Sequence, residues 1–478
     1  MSDARLAGIG AYAPRLRIAA EQFEDAWGSF DAAGVEQKAV PEADEDALTM
    51  GIEAAKRALD AAGYDGADLS HLAFATTTPP MAEEDLTARL ASVLGAPDDV
   101  TTRTMTGSTR AGVQALDAAL DAGPWGDGVG LVVVGDCPKG EPDSGIEHAA
   151  GAGGAALVLD GEGPGTVLDR ASHVEPYPGT RFRTGGDDET TGLGVTQYDR
   201  AAFTSALGGA VDALDDSVED VDAAAVQSPD GKLPYRATGA LGVDAGTIAA
   251  AETVSSLGDT GSASVFLGAA TAFADNAERV LLAAYGSGAG ANAVLVDGPV
   301  PVESALAGEL DLTYAEYLRR RGEITSDEPE GGGAYVSVPS WQRTIDQRHR
   351  LVAGRCPECG ALNFPPDGAC QGCNERTSEY ERVELPGTGT VEAVTTIAQG
   401  GAPPEFVEQQ SKSGPFVSAV VAFDGPEGEE TVSVASQVLT GDATVDIGTA
   451  VEATIRRIYS QEDVIRYGFK TQVSETRR

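Results

Sequence analysis

The chain has 478 residues, with 75 acidic side chains against 33 basic ones and a formal net charge of -42. That balance excludes the basic stripe of a duplex or RNA binder and argues against an anionic membrane as a main partner. The length predicts about two to four domains, each able to bury its own core without disulfide staples.

The acid excess is spread along the chain rather than gathered in a tail, so it is not a disordered acidic arm. Only six basic residues are lysine (Lys38, Lys56, Lys139, Lys232, Lys412 and Lys470); the other 27 are arginine. A uniformly acidic, lysine-poor surface resembles that of proteins working in concentrated salt, where self-repulsion is screened. Halophilic adaptation is the expectation. The opening segment, MSDARLAGIGAYAPRL, lacks a basic region followed by a long apolar run, so it does not read as a signal peptide. No run of about 18 apolar residues occurs, so no transmembrane helix is predicted. The expected location is the cytoplasm.

In chain order, the first 300 residues alternate short apolar runs with helical patterns. Leu131–Val134, Ala155–Leu159, Val280–Tyr285 and Ala293–Val296 read as buried strands. Arg110 to Leu120 and Ser262 to Ala274 read as helices. Continuous apolar strands alternating with helices predict an α/β sheet covered on both faces. An internal echo runs through the pattern. TGSTRAGVQALDAAL at Thr106 leads to LVVVGD and GAGGAALVLD, and TGSASVFLGAATAFA at Thr260 leads to VLLAAYGSGAGANAVLV. Two copies of one α/β unit would give a pseudo-twofold domain with a site between its halves.

The character changes from Gly322 to Ser340, where a charged, then glycine-rich, then proline-bounded stretch reads as a linker. A helix is predicted from Trp341 to Leu351. From about Glu384 onward, GTVEAVTTIA, FVSAVVAFD, TVSVASQVL and AVEATIRRIY alternate in the manner of strands. They predict a small antiparallel barrel.

Between helix and barrel lie Cys356-Pro-Glu-Cys359 and Cys370-Gln-Gly-Cys373, separated by ten residues. Two such knuckles can set four thiolates tetrahedrally around one zinc ion. Four sulfur ligands leave no open position, which makes the zinc structural. Two disulfides would fit a reducing compartment poorly.

Several stretches resemble the 3-hydroxy-3-methylglutaryl-CoA synthase family, especially its archaeal type, within the thiolase superfamily. They are GIGAYAPRLRI at Gly8, VPEADEDALTMGIEAAKRAL at Val40, GDCPKGEPDSGIEHAAGAGGAALVL at Gly135, QSPDGKLPYRATGALG at Gln227, SLGDTGSA at Ser256 and YGSGAGANAVLV at Tyr285. The resemblance covers residues 4 to 325 and implies a duplicated thiolase-like fold with acyl-CoA as ligand or substrate. The remainder, from the helix WQRTIDQRHRLVAG through the knuckles and FPP at Phe364, resembles a zinc-ribbon and OB-fold family found as small subunits beside thiolase-type enzymes. The expected fold is therefore α/β: a thiolase-like domain at 1–325, a linker at 326–340, a helix and zinc ribbon at 341–383, and a small β-barrel (OB-fold) at 384–478.

The resemblance also implies a site, and there this sequence departs from the family. The family places a cysteine nucleophile at the start of the helix in the first half. Aligned on Ala111-Gly112, that position falls on Thr106, and no cysteine is near. Cys137 follows a different strand and reads as a core thiol. The family's histidine precedes a Pro-Asn-Gly-Lys-like turn, and here Gln227 stands before Ser228-Pro229-Asp230-Gly231-Lys232. Glutamine exchanges no proton near neutral pH, so it cannot serve as a general base. The family's asparagine aligns with Asp259, and its acid/base glutamate falls near Thr78. Of the histidines, His71, His148 and His349 read as packing or surface, and only His173 is kept as a candidate. A Thr106 or Ser108 nucleophile would need a base, for which Asp259 is the available group. Otherwise Thr106 reads as a helix cap. Gly286 and Gly288 match the family's glycine-rich turn, and Lys232 lies on the turn that adjoins the CoA channel.

The resulting expectation is a non-catalytic or substrate-channelling partner of a thiolase, with the ribbon and barrel docking the partner. The alternative is an active condensing (acyltransferase) or retro-aldol enzyme with a remodelled site. Thiolase-superfamily domains pair through a twofold interface, so a dimer is expected, with itself or with a catalytic homologue.

Overall fold

The computed structural model describes residues 4–126, 128–288, 290–324, 336–398, 406–428, 430–441 and 443–474. The chain forms two compact units. One comprises Met1–Pro41 and Glu45–Tyr317, the other Glu42–Asp44 and Leu318–Arg478.

The first unit is built on a ten-stranded sheet. Its strands run in the order Thr101–Thr106, Leu69–Thr76, Val129–Asp136, Gly153–Asp160, Arg5–Tyr12, Gly165–His173, Gly290–Asp297, Arg279–Gly286 and Ala223–Val226, and Val302–Ala305 pairs alongside Arg5–Tyr12. All four strands expected from apolar runs are present and buried along most of their length. Residues buried on both faces of a pleat must be apolar throughout, which is why these strands read as continuous rather than alternating.

The sheet is a duplication. In the first half Leu69–Thr76 runs parallel to Val129–Asp136, which pairs antiparallel with Gly153–Asp160, which pairs antiparallel with Arg5–Tyr12. In the second half Ala223–Val226 runs parallel to Arg279–Gly286, which pairs antiparallel with Gly290–Asp297, which pairs antiparallel with Gly165–His173. The order and the directions are the same. The two first strands of the halves, Arg5–Tyr12 and Gly165–His173, meet antiparallel at the centre.

Each half sends a helix into the same apolar cluster: Ala111–Ala122 from the first and Ser264–Ala274 from the second. The second is buried almost all round, which its composition allows because it carries no charge. A further helix, Ala47–Ala62, starts on a reciprocal cap in which Asp46 accepts from the Thr49 backbone and the Thr49 hydroxyl accepts from the Asp46 backbone.

In the second unit the expected helix is two short ones. Val338–Arg343 starts earlier than the predicted Trp341, and Ile345–Arg350 follows after a break at Thr344. Ser337 caps the first and Pro339 fits its first turn. Leu351, in the left-handed region at φ +51°, ends the second. Residues 325–335 of the expected linker lie outside the described residues. The strands Val352–Arg355, Leu362–Asn363 and Glu381–Glu384 form a small sheet beside the knuckles.

The expected barrel is closed and has five strands: Thr388–Ile397, Phe416–Asp424, Thr431–Leu439, Val464–Val473 and Ala450–Gln461 in spatial order. Val464–Val473 escaped the sequence reading. It also corrects the antiparallel expectation, since it pairs parallel with Thr431–Leu439. A closed ring of an odd number of strands cannot alternate direction at every contact. Val391, Val421, Phe423, Val434 and Val451 fill the interior. Among the described residues no helix is long and apolar enough to cross a membrane.

Candidate functional site

The strand Val129–Asp136 ends in a carboxylate with no solvent exposure. Asp136 accepts from the hydroxyls of Thr76, Thr77 and Thr78 at 2.8, 2.9 and 2.8 Å, and from the backbone N–H groups of Thr77 and Thr78 at 2.7 and 2.9 Å. It also accepts from the Ser262 N–H at 2.6 Å and the Ser262 hydroxyl at 2.7 Å. A buried carboxylate needs such donors in place of water. Asp136 thereby ties the end of the strand Leu69–Thr76 to the turn that opens the second-half helix. Thr78 is spent on this network.

Gly261 stands beside it and must be glycine. Its φ is +56°, and a Cβ there would lie 2.3 Å from Asp136 Oδ2. Its carbonyl accepts from Gln227 Nε2 at 2.8 Å, and its N–H donates to Asp259 Oδ1 at 3.0 Å. The other oxygen of Asp259 is ion-paired with Arg181 Nη1, the two side chains being 3% and 14% exposed. The structure thus brings Gln227, Asp259 and, through Ser262 and Asp136, Thr78 together around one turn. Three polar atoms here are buried without a partner: Gln227 Oε1, Thr260 Oγ1 and Arg181 Nη2.

Thr106 does not join them as predicted. It is the exposed last residue of the strand Thr101–Thr106, in register with Thr76, and caps no helix. The helix begins at Ala111 with Arg110 at its N-cap, because Gly107 at φ +84° turns the chain first. The hydroxyl just ahead of that helix belongs to Thr109, which is buried and donates to the Tyr285 carbonyl at 2.7 Å. Gly112, in the first turn, lies against the Ser262 carbonyl, where a Cβ would approach to 2.8 Å. The helix start therefore abuts the turn that holds Gly261.

Gly286 lies beneath Ser108 and Arg110; a Cβ on it would come within 2.7 Å of Ser108 Oγ and 2.6 Å of Arg110 Cδ. Gly288 donates its N–H to Thr180 Oγ1 at 3.1 Å, so the turn is clamped by the loop that carries Arg181. Ala289 lies outside the described residues. Lys232 is exposed on its turn, where Asp230 accepts its backbone N–H at 2.6 Å.

Arg110 leads away from this region through a polar chain. Its Nη1 donates to Asn292 Oδ1 at 3.2 Å, and Asn292 Nδ2 donates to Asp117 Oδ2 at 2.8 Å. Burial pushes the Asp117 carboxyl up to about 6, against the opposing pull of Arg170.

The histidines stand elsewhere. His173 ends its strand, with Nε2 at 3.6 Å from Glu175 Oε2. His71 is buried and stacked on Trp125. His148 is buried against Phe30, with Nδ1 accepting from the Asp31 N–H at 2.9 Å. His349 lies on the helix Ile345–Arg350. Cys137 keeps some solvent contact rather than sitting wholly in the core. Its thiol is 3.9 Å from Thr78 Oγ1 and is pushed up to about 12 by burial and by Asp46 and Asp136.

Sequence reasoning missed Asp136, Thr109, Arg181 and Arg183, whose Nη2 donates to the Thr77 carbonyl. Asp136 carried a signal, as a carboxylate closing an apolar strand. The arginines carried none, since their loop is remote in sequence from every residue they reach.

In the second unit the sulfurs of Cys356, Cys359, Cys370 and Cys373 all lie within 4.8 Å of one another. Cys356 and Cys373 are 3.8 Å apart, and Cys359 and Cys370 are 3.6 Å apart. Those spacings are too long for disulfides. They match the edge of about 3.8 Å that a sulfur tetrahedron has when each Zn–S bond is about 2.3 Å. The four thiolates fit one structural zinc ion. Asn363 Oδ1 orders the second knuckle by accepting from the Gln371 N–H at 2.7 Å.

Comparison with known proteins places these features in context. Residues 343–379 match the ChsH2 rubredoxin-like zinc-ribbon domain. Over 354 residues the chain is 30% identical to a hydroxymethylglutaryl-CoA synthase of Methanopyrus kandleri, covering 67% of this chain and 97% of that protein. The corresponding synthase of Pyrobaculum aerophilum is 29% identical over 347 residues, covering 68% and 99%. Among solved structures, an HMG-CoA synthase complexed with CoA superposes with a TM-score of 0.60 at 17% identity, over 70% of this chain and 94% of that one. The 3-oxoacyl-(acyl carrier protein) synthase III of Pseudomonas aeruginosa superposes with a TM-score of 0.55 at 17% identity, over 63% and 100%.

Proposed function

The chain belongs to the hydroxymethylglutaryl-CoA synthase family, and from that premise we propose that it binds acyl-CoA but has lost the family's condensation chemistry, acting beside a catalytic thiolase. One observation carries the reading: where the family resemblance calls for histidine and asparagine, Gln227 and Asp259 are held by Gly261 and Arg181. An amide does not act as a general acid or base near neutral pH, and both oxygens of the Asp259 carboxylate are engaged, one by Arg181 and one by the Gly261 N–H. Thr109 stands nearest the helix start where the family's cysteine belongs, and its hydroxyl is engaged by a carbonyl. Cys137, held up near 12, supplies no thiolate.

Acyl-CoA as the ligand is supported by the CoA-complexed relative in the solved structures. Lys232, Gly286 and Gly288 are the proposed contacts. The zinc ribbon and the barrel, which we read as an OB-fold, are the proposed docking module for the thiolase. The open edge at Thr101–Thr106 is suited to pairing with a homologue or a second copy. We read the domains as 1–325, 341–383 and 384–478, and the protein as cytoplasmic and halophilic.

The deciding measurement is release of free CoA thiol in high salt from acetyl-CoA and acetoacetyl-CoA by folded, zinc-loaded protein. No release, together with acyl-CoA binding and a co-purifying thiolase, supports the reading. Steady release defeats it.

A second reading, an active condensing or retro-aldol enzyme, is favoured by the buried open acceptor Gln227 Oε1 and the hydroxyl of Thr260 beside Asp259. Such atoms suit a hydroxyacyl substrate. Turnover lost in Asp259→Ala or Thr109→Ala supports it, and turnover unchanged in both removes it.

A further inference from the structure

The second unit holds two guanidinium groups on one indole. Arg348 Cζ lies 4.2 Å and Arg466 Cζ 4.9 Å from the centre of the Trp341 ring. Trp341 is 7% and Arg466 8% exposed, and Tyr459 meets the indole edge-on at 6.1 Å. Arg348 Nε donates to Thr344 Oγ1 at 3.1 Å, whereas Arg466 Nε is buried without a partner.

Among the described residues, neither arginine is in an ion pair. Other arginines of the same unit are. Arg350 pairs with Glu384 at 3.0 Å and Asp346 at 3.5 Å, Arg355 pairs with Glu430 at 2.5 Å, and Arg382 pairs with Asp346. The chain has 75 carboxylates for 33 cations, so counter-charges are plentiful. Two like charges gathered on one ring and largely withdrawn from water are costly unless an anion offsets them. The stacking on Trp341 is favourable but neutralises nothing.

We propose that Arg348 and Arg466 form an anion site on Trp341 that takes a phosphate group, as free phosphate or as a terminal phosphate monoester. Phosphate fits better than carboxylate because its dianion matches two guanidinium charges and its oxygens accept paired N–H donors. The monoester that the proposed function supplies is the 3′-phosphate of CoA, and this part of the inference rests on that reading.

The test uses the full zinc-loaded chain at fixed ionic strength in potassium chloride. Calorimetric titration with inorganic phosphate is expected to give saturable binding, weakened about tenfold or more in Arg466→Gln and in Arg348→Gln. Arg466→Lys, which keeps the charge but not the fork, should fall between. Phosphate should raise the melting temperature of the parent above that in equivalent chloride, a readout that needs no variant. CoA and dephospho-CoA separate the sources. A preference for CoA that vanishes in Arg466→Gln assigns the 3′-phosphate, whereas equal binding alongside Arg-dependent phosphate binding assigns free phosphate. The proposal is overturned if the parent shows neither phosphate heat nor a melting shift, or if both glutamine variants bind phosphate as the parent does.

Discussion

Arg181 closes on Asp259 across 78 residues of sequence, its Nη1 donating to a carboxylate that is 3% exposed. The carboxylate's other oxygen accepts from Gly261, so the pair also fixes the turn on which Gln227 is anchored. Arg181→Met strands a buried charge and is expected to cost about 3 kcal/mol or more. Asp259→Asn keeps an acceptor for the Gly261 N–H. Placed on the Arg181→Met background it should recover part of the loss. Chemical denaturation of the two single variants and the double gives the coupling energy, and additive effects would show that the pair holds nothing in place.

Asp136 is expected to be the least replaceable residue of the site. Its seven donors converge on two oxygens, and the amide nitrogen of an asparagine could accept none of them. Asp136→Asn should destabilise the chain by roughly 3 kcal/mol, from orphaned buried donors. Hydrogen exchange should localise the damage to 76–78 and 261–263, and uniform protection across those residues would refute the assignment.

The Asp117 carboxyl, raised by burial to about 6, gives a pH signature. A carboxyl raised on folding binds its proton more tightly in the native state than in the unfolded one. Its contribution to stability is therefore greatest in acid and is lost as pH rises through about 6. Asp117→Asn removes that titration. The stability of the variant relative to the parent should shift in the variant's favour between about pH 4 and pH 7, most of it below pH 6, and a constant difference across that range would rule the effect out.

Thiol chemistry separates the two cysteine environments. With zinc bound, Cys356, Cys359, Cys370 and Cys373 should resist alkylation near pH 8, and Cys137 should react slowly because burial holds it as a thiol. Chelation should expose four fast thiols and unfold the ribbon, leaving Cys137 slow. Five equally fast thiols after chelation would mean that the first unit had opened as well.

Much of this molecule was written locally. Runs such as Leu131–Val134 declare buried strands because both faces of the pleat are covered, and the repeated helix-strand-turn-strand order announced a sheet built twice. The paired Cys-x-x-Cys spacings likewise fixed a tetrahedral sulfur site, because knuckle geometry depends only on neighbouring residues. The departures from the cysteine and histidine that the family resemblance implies, which the proposed function rests on, were read residue by residue. The placement of Thr106 was not: the helix read from Arg110 begins at Ala111, but Gly107 turns the chain first, so Thr106 ends a strand and the hydroxyl ahead of the helix is that of Thr109. Only the tertiary structure decided which polar groups meet. Arg181 meeting Asp259, Asp136 gathering three threonines and a serine, and two arginines sharing Trp341 join segments whose approach no local pattern encodes. Secondary structure follows from periodicity within a few residues, whereas the pairing of charges follows from which loops the packed sheet brings together.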